Sequence, residues 1–270
     1  MPHAPFKLAL AQMLIEGGRE EANLHRALDR IGDAAGHGAN VVVLPEAMTL
    51  GWTHPSARTG GCEIPNGRAC TTLRNAACRH GVFVCAGLIE RDGDKVFNAA
   101  LLIDPKGGIA LHHRKLNELA IGRELYAQGD RLGVTSTLHG TFGLMICSDA
   151  FARGQVISRT LGVMGADIIL SPCAWAVPAN HDNGADPYGQ LWLDNYGPVA
   201  SDFRLWIAGV SNVGWLNEGP WKGYQCIGCS LVIDPEGHPV LVGPYGPDAD
   251  TILYVDIALK PRPARDSGGV

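Results

Sequence analysis

The sequence predicts an α/β protein, a four-layer αββα sandwich made of two similar halves. Three observations carry this expectation. Short apolar runs bounded by turn residues alternate with stretches of helical spacing along the whole chain. "GANVVVLPEA" from residue 38 and "GADIILSPCA" from residue 165 share one pattern, 127 residues apart. "LLIDPKG" from 101 and "LVIDPEG" from 231 share another, 130 apart. Two nearly equal offsets divide the chain into matching halves. Each half forms a sheet with helices on one face, and packing sheet against sheet covers the other faces. No linker separates the halves, so residues 1–270 are expected to form one domain.

The elements follow in order. "FKLALAQM" reads as a first strand, and residues 20–36 carry Leu24, Ala27, Leu28 and Ile31 at helical spacing. "NVVVLPE" is a continuous apolar run, the mark of a strand buried on both faces. Residues 67–80 place Leu73, Ala76 and Ala77 on one helical stripe. "VFVCAGLIE", "VFNAALLIDP" and "IALHHRK" are strands joined by the turns "RDGDK" and "KGG". Residues 116–133 form a loop with some helical character, and "LGV…TFGLMIC" is a hairpin turning at His139 and Gly140. A helix is expected over 153–164, then the strand "ADIILSPCAW", a Pro- and Gly-rich loop over 176–188 and a helix over 189–203. "LWIAGVSNVG", "CSLVIDP", "PVLVG" and "ILYVDI" are further strands, and the tail "KPRPARDSGGV" is expected to be loosely ordered.

Composition narrows the function classes. A net charge of −5 argues against a nucleic-acid partner, and no apolar run is long enough to span a membrane. The N-terminus lacks the charged start and cleavage site of a signal peptide, so a soluble, cytoplasmic protein is expected. That setting makes the eight cysteines reduced thiols rather than bridges. Cys226 and Cys229 form a C-x-x-C inside a strand-like run, with no second such pair to complete a zinc site, and read as packing thiols.

Three polar residues stand where strands end: Glu46 after "VVVLP", Lys115 after "IALHHR" and Cys147 after "GLMI". Loops at strand ends are where α/β proteins gather reactive groups. Together the three make a coherent centre. A lysine and the positive end of the helix expected at 153–164 would favour the Cys147 thiolate. Glu46 would take the thiol proton, Lys115 would stabilise an oxyanion, and the Ser148 N–H would be a second donor. Such a set suits attack on an amide-like or nitrile carbon.

"LPEAMTLGW", "HHRKLN" and "GLMICSDAF", in this order, resemble the nitrilase or carbon–nitrogen hydrolase superfamily, and the likeness runs from "LALAQM" to "GCSLVIDPEG". The resemblance implies the αββα fold and a Glu46–Lys115–Cys147 triad. It also implies hydrolysis of a linear amide or N-carbamoyl substrate through a thioester, without metal or organic cofactor. It departs from the family pattern at Ser148, where a tyrosine is usual, and at Phe151, where an arginine is usual; Arg153 lies two places later. A second family glutamate falls on Gly122, leaving Glu118 or Glu124 as its substitute, with Glu118 preferred to orient Lys115.

The implied substrate pocket takes Trp52, Trp175 and Ala176, with Trp215 also near its opening and a rim at 177–188 and 215–222. These tryptophans suggest an apolar or aromatic substrate group. His181, Asp182 and Asn183 read as a solvated loop, and Asn212 as fixing backbone near the site. The resemblance further implies a homodimer or higher homo-oligomer. Three other readings stand beside this one: nitrile hydrolysis in the same fold, a Cys147 dyad with His112 or His113, and a binding protein that has lost turnover.

Overall fold

The computed structural model describes residues 4–260. The first half runs β1 (Phe6–Gln12), α1 (Glu20–Gly36), β2 (Val41–Val43), α2 (Ala57–Gly60), α3 (Arg68–His80), β3 (Phe83–Asp92), β4 (Lys95–Ile103) and β5 (Ile109–Arg114). The second runs β6 (Val134–Thr137), β7 (Gly140–Leu144), α4 (Val156–Met164), β8 (Ile168–Cys173), β9 (Ala176–Pro178), α5 (Gln190–Phe203) and β10 (Trp206–Ser211). It ends with β11 (Val213–Trp215), β12 (Tyr224–Ile227), β13 (Leu231–Ile233), β14 (Pro239–Val242) and β15 (Thr251–Ile257).

Two six-stranded sheets result, ordered β15-β1-β2-β3-β4-β5 and β14-β13-β10-β8-β7-β6. Read from the other edge, the second matches the first: β7, β8, β10, β13 and β14 take the places of β1, β2, β3, β4 and β5. The repeated sequence patterns lie on the matched strands β2 and β8, and at the ends of β4 and β13. In each half the three central strands are parallel and the outer pairs antiparallel.

Side-chain alternation explains the layers. In β1, Leu8 and Leu10 pack with the second sheet, whereas Ala9 and Ala11 pack with Leu24, Ala27 and Ile31 of α1. Small residues let helices lie close, while the larger ones fill the space between the sheets. The stripe of α3 ends at Gly81, whose left-handed φ of 65° lets its N–H cap Ala77 O. On the opposite side, Leu161 of α4 and Trp192, Tyr196 and Val199 of α5 cover the second sheet.

Several details differ from the sequence expectation. The helix expected over 153–164 begins as an α-helix only at Val156, because Gly154 and Gln155 adopt left-handed φ of 70° and 50°. The loop over 176–188 opens with β9, which joins β11 and β12 in a small third sheet. The run holding Cys226 and Cys229 is not one strand. Gly228 and Cys229 have φ of 66° and 57°, and the chain passes there from the small sheet to the second large one. Both thiols are free and buried. The tail, apart from Lys260, lies outside the described residues.

Candidate active site

Each candidate residue leaves its strand by a short, strongly held turn. After β2, Gly87 N–H bonds Pro45 O at 3.1 Å and Met48 N–H bonds Gly87 O at 2.9 Å, so the Glu46 turn clings to β3. Only glycine allows this approach: a Cβ on Gly87 would stand 2.6 Å from Glu46 Cα. The next residue, Ala47, has a left-handed φ of 47°. On the other side, Glu46 N–H reaches Cys173 O in the second sheet at 3.1 Å. Cys173 is the residue matched to Glu46 by the 127-residue offset, so the equivalent turns of the two halves meet here.

Lys115 follows β5, and its N–H continues the ladder to Asn98 O of β4 at 2.8 Å. The alternation of β5 sorts the "HHRK" run. His112 and Arg114 reach Glu90 at 2.8 and 2.9 Å, and His113 and Lys115 face inward, both 2% exposed. Cys147 follows β7 with a left-handed φ of 45°, and its N–H donates to Ser171 Oγ at 3.2 Å. A non-glycine residue held in that region costs about 1–3 kcal/mol, a strain that tends to gather at functional sites.

The side chains converge tightly. Lys115 Nζ donates to Glu46 Oε1 at 2.7 Å and to Glu118 Oε1 at 3.1 Å. Asn98 Nδ2 donates to Glu46 Oε1 at 2.6 Å and to Glu118 Oε2 at 3.1 Å, and Leu119 N–H also reaches Glu118 Oε1. Glu118 is therefore occupied at both oxygens. Glu46 is occupied twice at Oε1, while Oε2 has no hydrogen-bond partner among the described residues. Glu124 is exposed and stands outside this cluster. The space that a side chain at 122 would take is filled by Glu118, whose Cγ and Cδ lie 2.7 Å from a Cβ built on Gly122.

A second set of bonds locks the lysine loop to the cysteine turn. Asp149 accepts from Leu116 N–H and Asn117 N–H at 3.0 and 2.7 Å through Oδ1, and from Ile146 N–H at 2.9 Å through Oδ2. His113 Nε2 meets the same Oδ2 at 2.8 Å. Ser148 Oγ donates to Asn117 O, and Asn117 Nδ2 donates back to Ser148 O, both at 2.6 Å. His113 thus serves Asp149 and His112 serves Glu90, which leaves neither histidine bonded to Cys147.

The electrostatics follow from two carboxylates sharing one ammonium in a dry place. Burial raises Glu46, as does the charge of Glu118, against the pull of Lys115 and Asn98. Burial alone would lower Lys115, but Glu46 and Glu118 more than offset it and hold the ammonium well above its ordinary range. Burial also raises Cys147 strongly, helped by Cys173 and by the negative charge of Glu46. Lys115 favours the Cys147 anion, as the sequence suggested, but burial, Cys173 and the charge of Glu46 outweigh it. Burial pushes Asp149 up, yet His113 and Lys115 bring it below its ordinary value.

Glu46, Lys115 and Cys147 share a cavity of about 210 Å³ with Trp52, Trp175, Ala176, Trp192 and Trp221. Tyr188, Phe151, Leu119, Leu191 and Ala174 complete its lining, so among the described residues Glu46 and Lys115 are its only charged groups. Phe151 stands where an arginine was expected, and Arg153 is exposed on the turn beyond. Trp215 is 45% exposed and does not line the cavity; Trp192 and Trp221 take its place. Trp221 falls within the rim expected over 215–222, whereas Trp192 was illegible because it comes from a helix distant from the motifs. Asp182 and Asn183 cap local turns, at Gly184 N–H and Tyr188 N–H, rather than facing the site. Asn212 is buried and accepts Gly228 N–H at 3.0 Å through its backbone oxygen.

Against known proteins, the sequence profile described as carbon-nitrogen hydrolase matches residues 7–262. A nitrilase of Pyrococcus abyssi is 28% identical over 258 residues, 94% of this chain and 90% of that protein. The omega-amidase NIT2 of Danio rerio is 26% identical, across 94% of this chain and 89% of that one. Among solved structures, Saccharomyces cerevisiae Nit3, a member of branch 10 of the nitrilase superfamily, superposes with a TM-score of 0.79 at 23% identity, covering 94% of this chain and 90% of that chain. Sheet order, repeated halves and a profile that spans nearly every described residue agree: the chain belongs to the carbon–nitrogen hydrolase family.

Proposed function

We propose that the protein hydrolyses a linear amide or N-carbamoyl group through a thioester on Cys147. The observation that carries this reading is the division of labour within one carboxylate. Glu46 Oε1 is bonded by Lys115 and Asn98, which leaves Oε2 as the acceptor for a proton in the cavity that Cys147 also lines. Burial and the charge of Glu46 disfavour a free Cys147 anion, so attack and deprotonation go together. The Cys147 sulfur bonds the carbonyl carbon as its proton passes to Glu46 Oε2. Of the three ammonium hydrogens of Lys115, two are held by Glu46 and Glu118, and the third serves the oxyanion with the Ser148 N–H.

Collapse breaks the carbon–nitrogen bond, and Glu46 returns the proton to the departing nitrogen. Water then attacks the thioester, giving a proton to Glu46. The second oxyanion collapses, the carbon–sulfur bond breaks, and the thiol regains its proton. Glu118 and Asn98 orient Lys115 and Glu46 rather than exchanging protons, since both Glu118 oxygens are already taken. Trp52, Trp175 and Ala176 hold the substrate's apolar acyl side.

The protein works as one domain and as a homodimer or higher homo-oligomer, a reading supported by exposed Val156, Val163 and Met164 on α4. Eight free thiols support a cytoplasmic setting, and among the described residues no helix is long and apolar enough to cross a membrane. A panel of amides, N-carbamoyl compounds and nitriles, scored by ammonia release, tests the function. Amides or carbamoyl compounds should be turned over by the wild type and not by Cys147→Ala. Turnover of nitriles alone assigns the other chemistry, and turnover of none assigns a binding role.

A further inference from the structure

A second apolar cleft adjoins the cavity at Cys147. It measures about 170 Å³ and is lined chiefly by Pro187, Leu193, Cys229, Leu231, Pro239 and Val242, with Gln190 polar at its edge and no charged side chain among the described residues. The cleft and the catalytic cavity share three residues, Trp175, Tyr188 and Trp192, which form the wall between them. Two of these are fixed. Trp175 and Trp192 are 2% and 3% exposed and stack with centroids 4.5 Å apart. The Trp175 backbone is pinned on both sides, by Ser211 Oγ at 2.8 Å and by Ile227 N–H at 3.0 Å. Tyr188 is the half-buried member: it stands on the loop before α5, its N–H donates to Asn183 Oδ1 at 2.8 Å, and its hydroxyl accepts Trp192 Nε1–H at 2.8 Å.

We propose that this cleft is an annex for the distal, uncharged part of the substrate's acyl group, with Tyr188 as the gate that sets how long an acyl chain the enzyme accepts. The inference rests on the hydrolase reading given above and narrows its substrate class. The acyl group is the part that stays on the enzyme through both half-reactions, so its site is the one worth building, while the nitrogen product leaves to water. The catalytic cavity has room for little more than a ring and its reacting carbon, since an apolar cavity of about 150 Å³ holds one benzene. A longer alkyl or arylalkyl group escapes water only by crossing the aromatic wall. No cation lines the annex among the described residues, so a distal carboxylate would find no charge partner there, and substrates ending in a carboxylate are disfavoured.

The test compares propanamide, octanamide and the monoamide of octanedioic acid in binding and in turnover. Binding is read from quenching of tryptophan fluorescence and does not depend on catalysis. The wild type should bind octanamide more tightly than propanamide by about fourfold for each methylene that enters the annex. The dioic monoamide should lose that gain. Val242→Trp, which fills the annex from its rim, should collapse the octanamide-to-propanamide ratio. Tyr188→Ala should raise the same ratio in kcat/KM, and Tyr188→Phe should stay closer to the wild type because it keeps the ring. A binding ratio that Val242→Trp leaves unchanged overturns the annex. Absence of turnover for these amides and for N-octylurea, with the binding ratios as expected, instead overturns the hydrolase reading and leaves the annex standing.

Discussion

At the scale of single residues, the site turns on how two oxygens of Glu46 are used. Asn98 is the residue that no motif revealed. It sits inside an apolar strand, and only the fold brings its amide between Glu46 and Glu118. Its hydrogen bond favours the Glu46 carboxylate, while burial opposes it. The proposed mechanism needs that carboxylate unprotonated, and burial raises it above the ordinary 4.5, so the acid limb of kcat/KM is predicted above pH 4.5. Asn98→Ala should move the limb to still higher pH and lower kcat by about 10- to 100-fold, the worth of a hydrogen bond to a charged group, with KM little changed. A pH–rate series on both proteins measures this; an unmoved limb would assign Asn98 a structural role only. Glu118 was legible by its nearness to Lys115, and Gly122 explains why it is the glutamate that fits.

At the scale of elements, alternation in β5 was legible and decisive. It placed His113 with Lys115 on one face, and the structure gives that shared face to Asp149 as well as to the carboxylate pair. What the sequence could not show was the clamp made by Asp149, because its three backbone partners come from two loops that meet only in the folded sheets. Likewise, the break at Gly154 and Gln155, which delays the α-helix to Val156 behind a 3-10 turn over Cys147–Phe151, depends on backbone angles that composition does not fix. Asp149 is fully buried with its pKa lowered, so the stability it contributes is complete above its unfolded value near 3.8. That contribution is lost as pH falls through the lower folded value. Asp149→Ala should destabilise the fold by about 3 kcal/mol or more at neutral pH, because three backbone N–H groups and His113 lose their acceptor together. Urea unfolding measures it, and a loss below about 1 kcal/mol would contradict the clamp.

At the scale of the whole molecule, the repeated patterns read the architecture correctly because short apolar strings on central strands tolerate little variation. The third sheet escaped notice because β9, β11 and β12 are three or four residues long and carry no clear period. The sheet-to-sheet core also bears on the site, since Glu46 and Cys147 hang from different sheets. Leu10→Ala, between those sheets, should cost about 2–5 kcal/mol in thermal or urea unfolding, and a change near zero would show a core that collapses freely. The central claim is that Cys147 carries the acyl group while Glu46 moves its proton. Rapid quenching during amide turnover, followed by peptide mass mapping, tests it most directly. The account predicts an acyl mass increment on Cys147 in the wild type and none on that peptide in Glu46→Gln. An increment on another thiol, or undiminished ammonia release from Cys147→Ala, would contradict it.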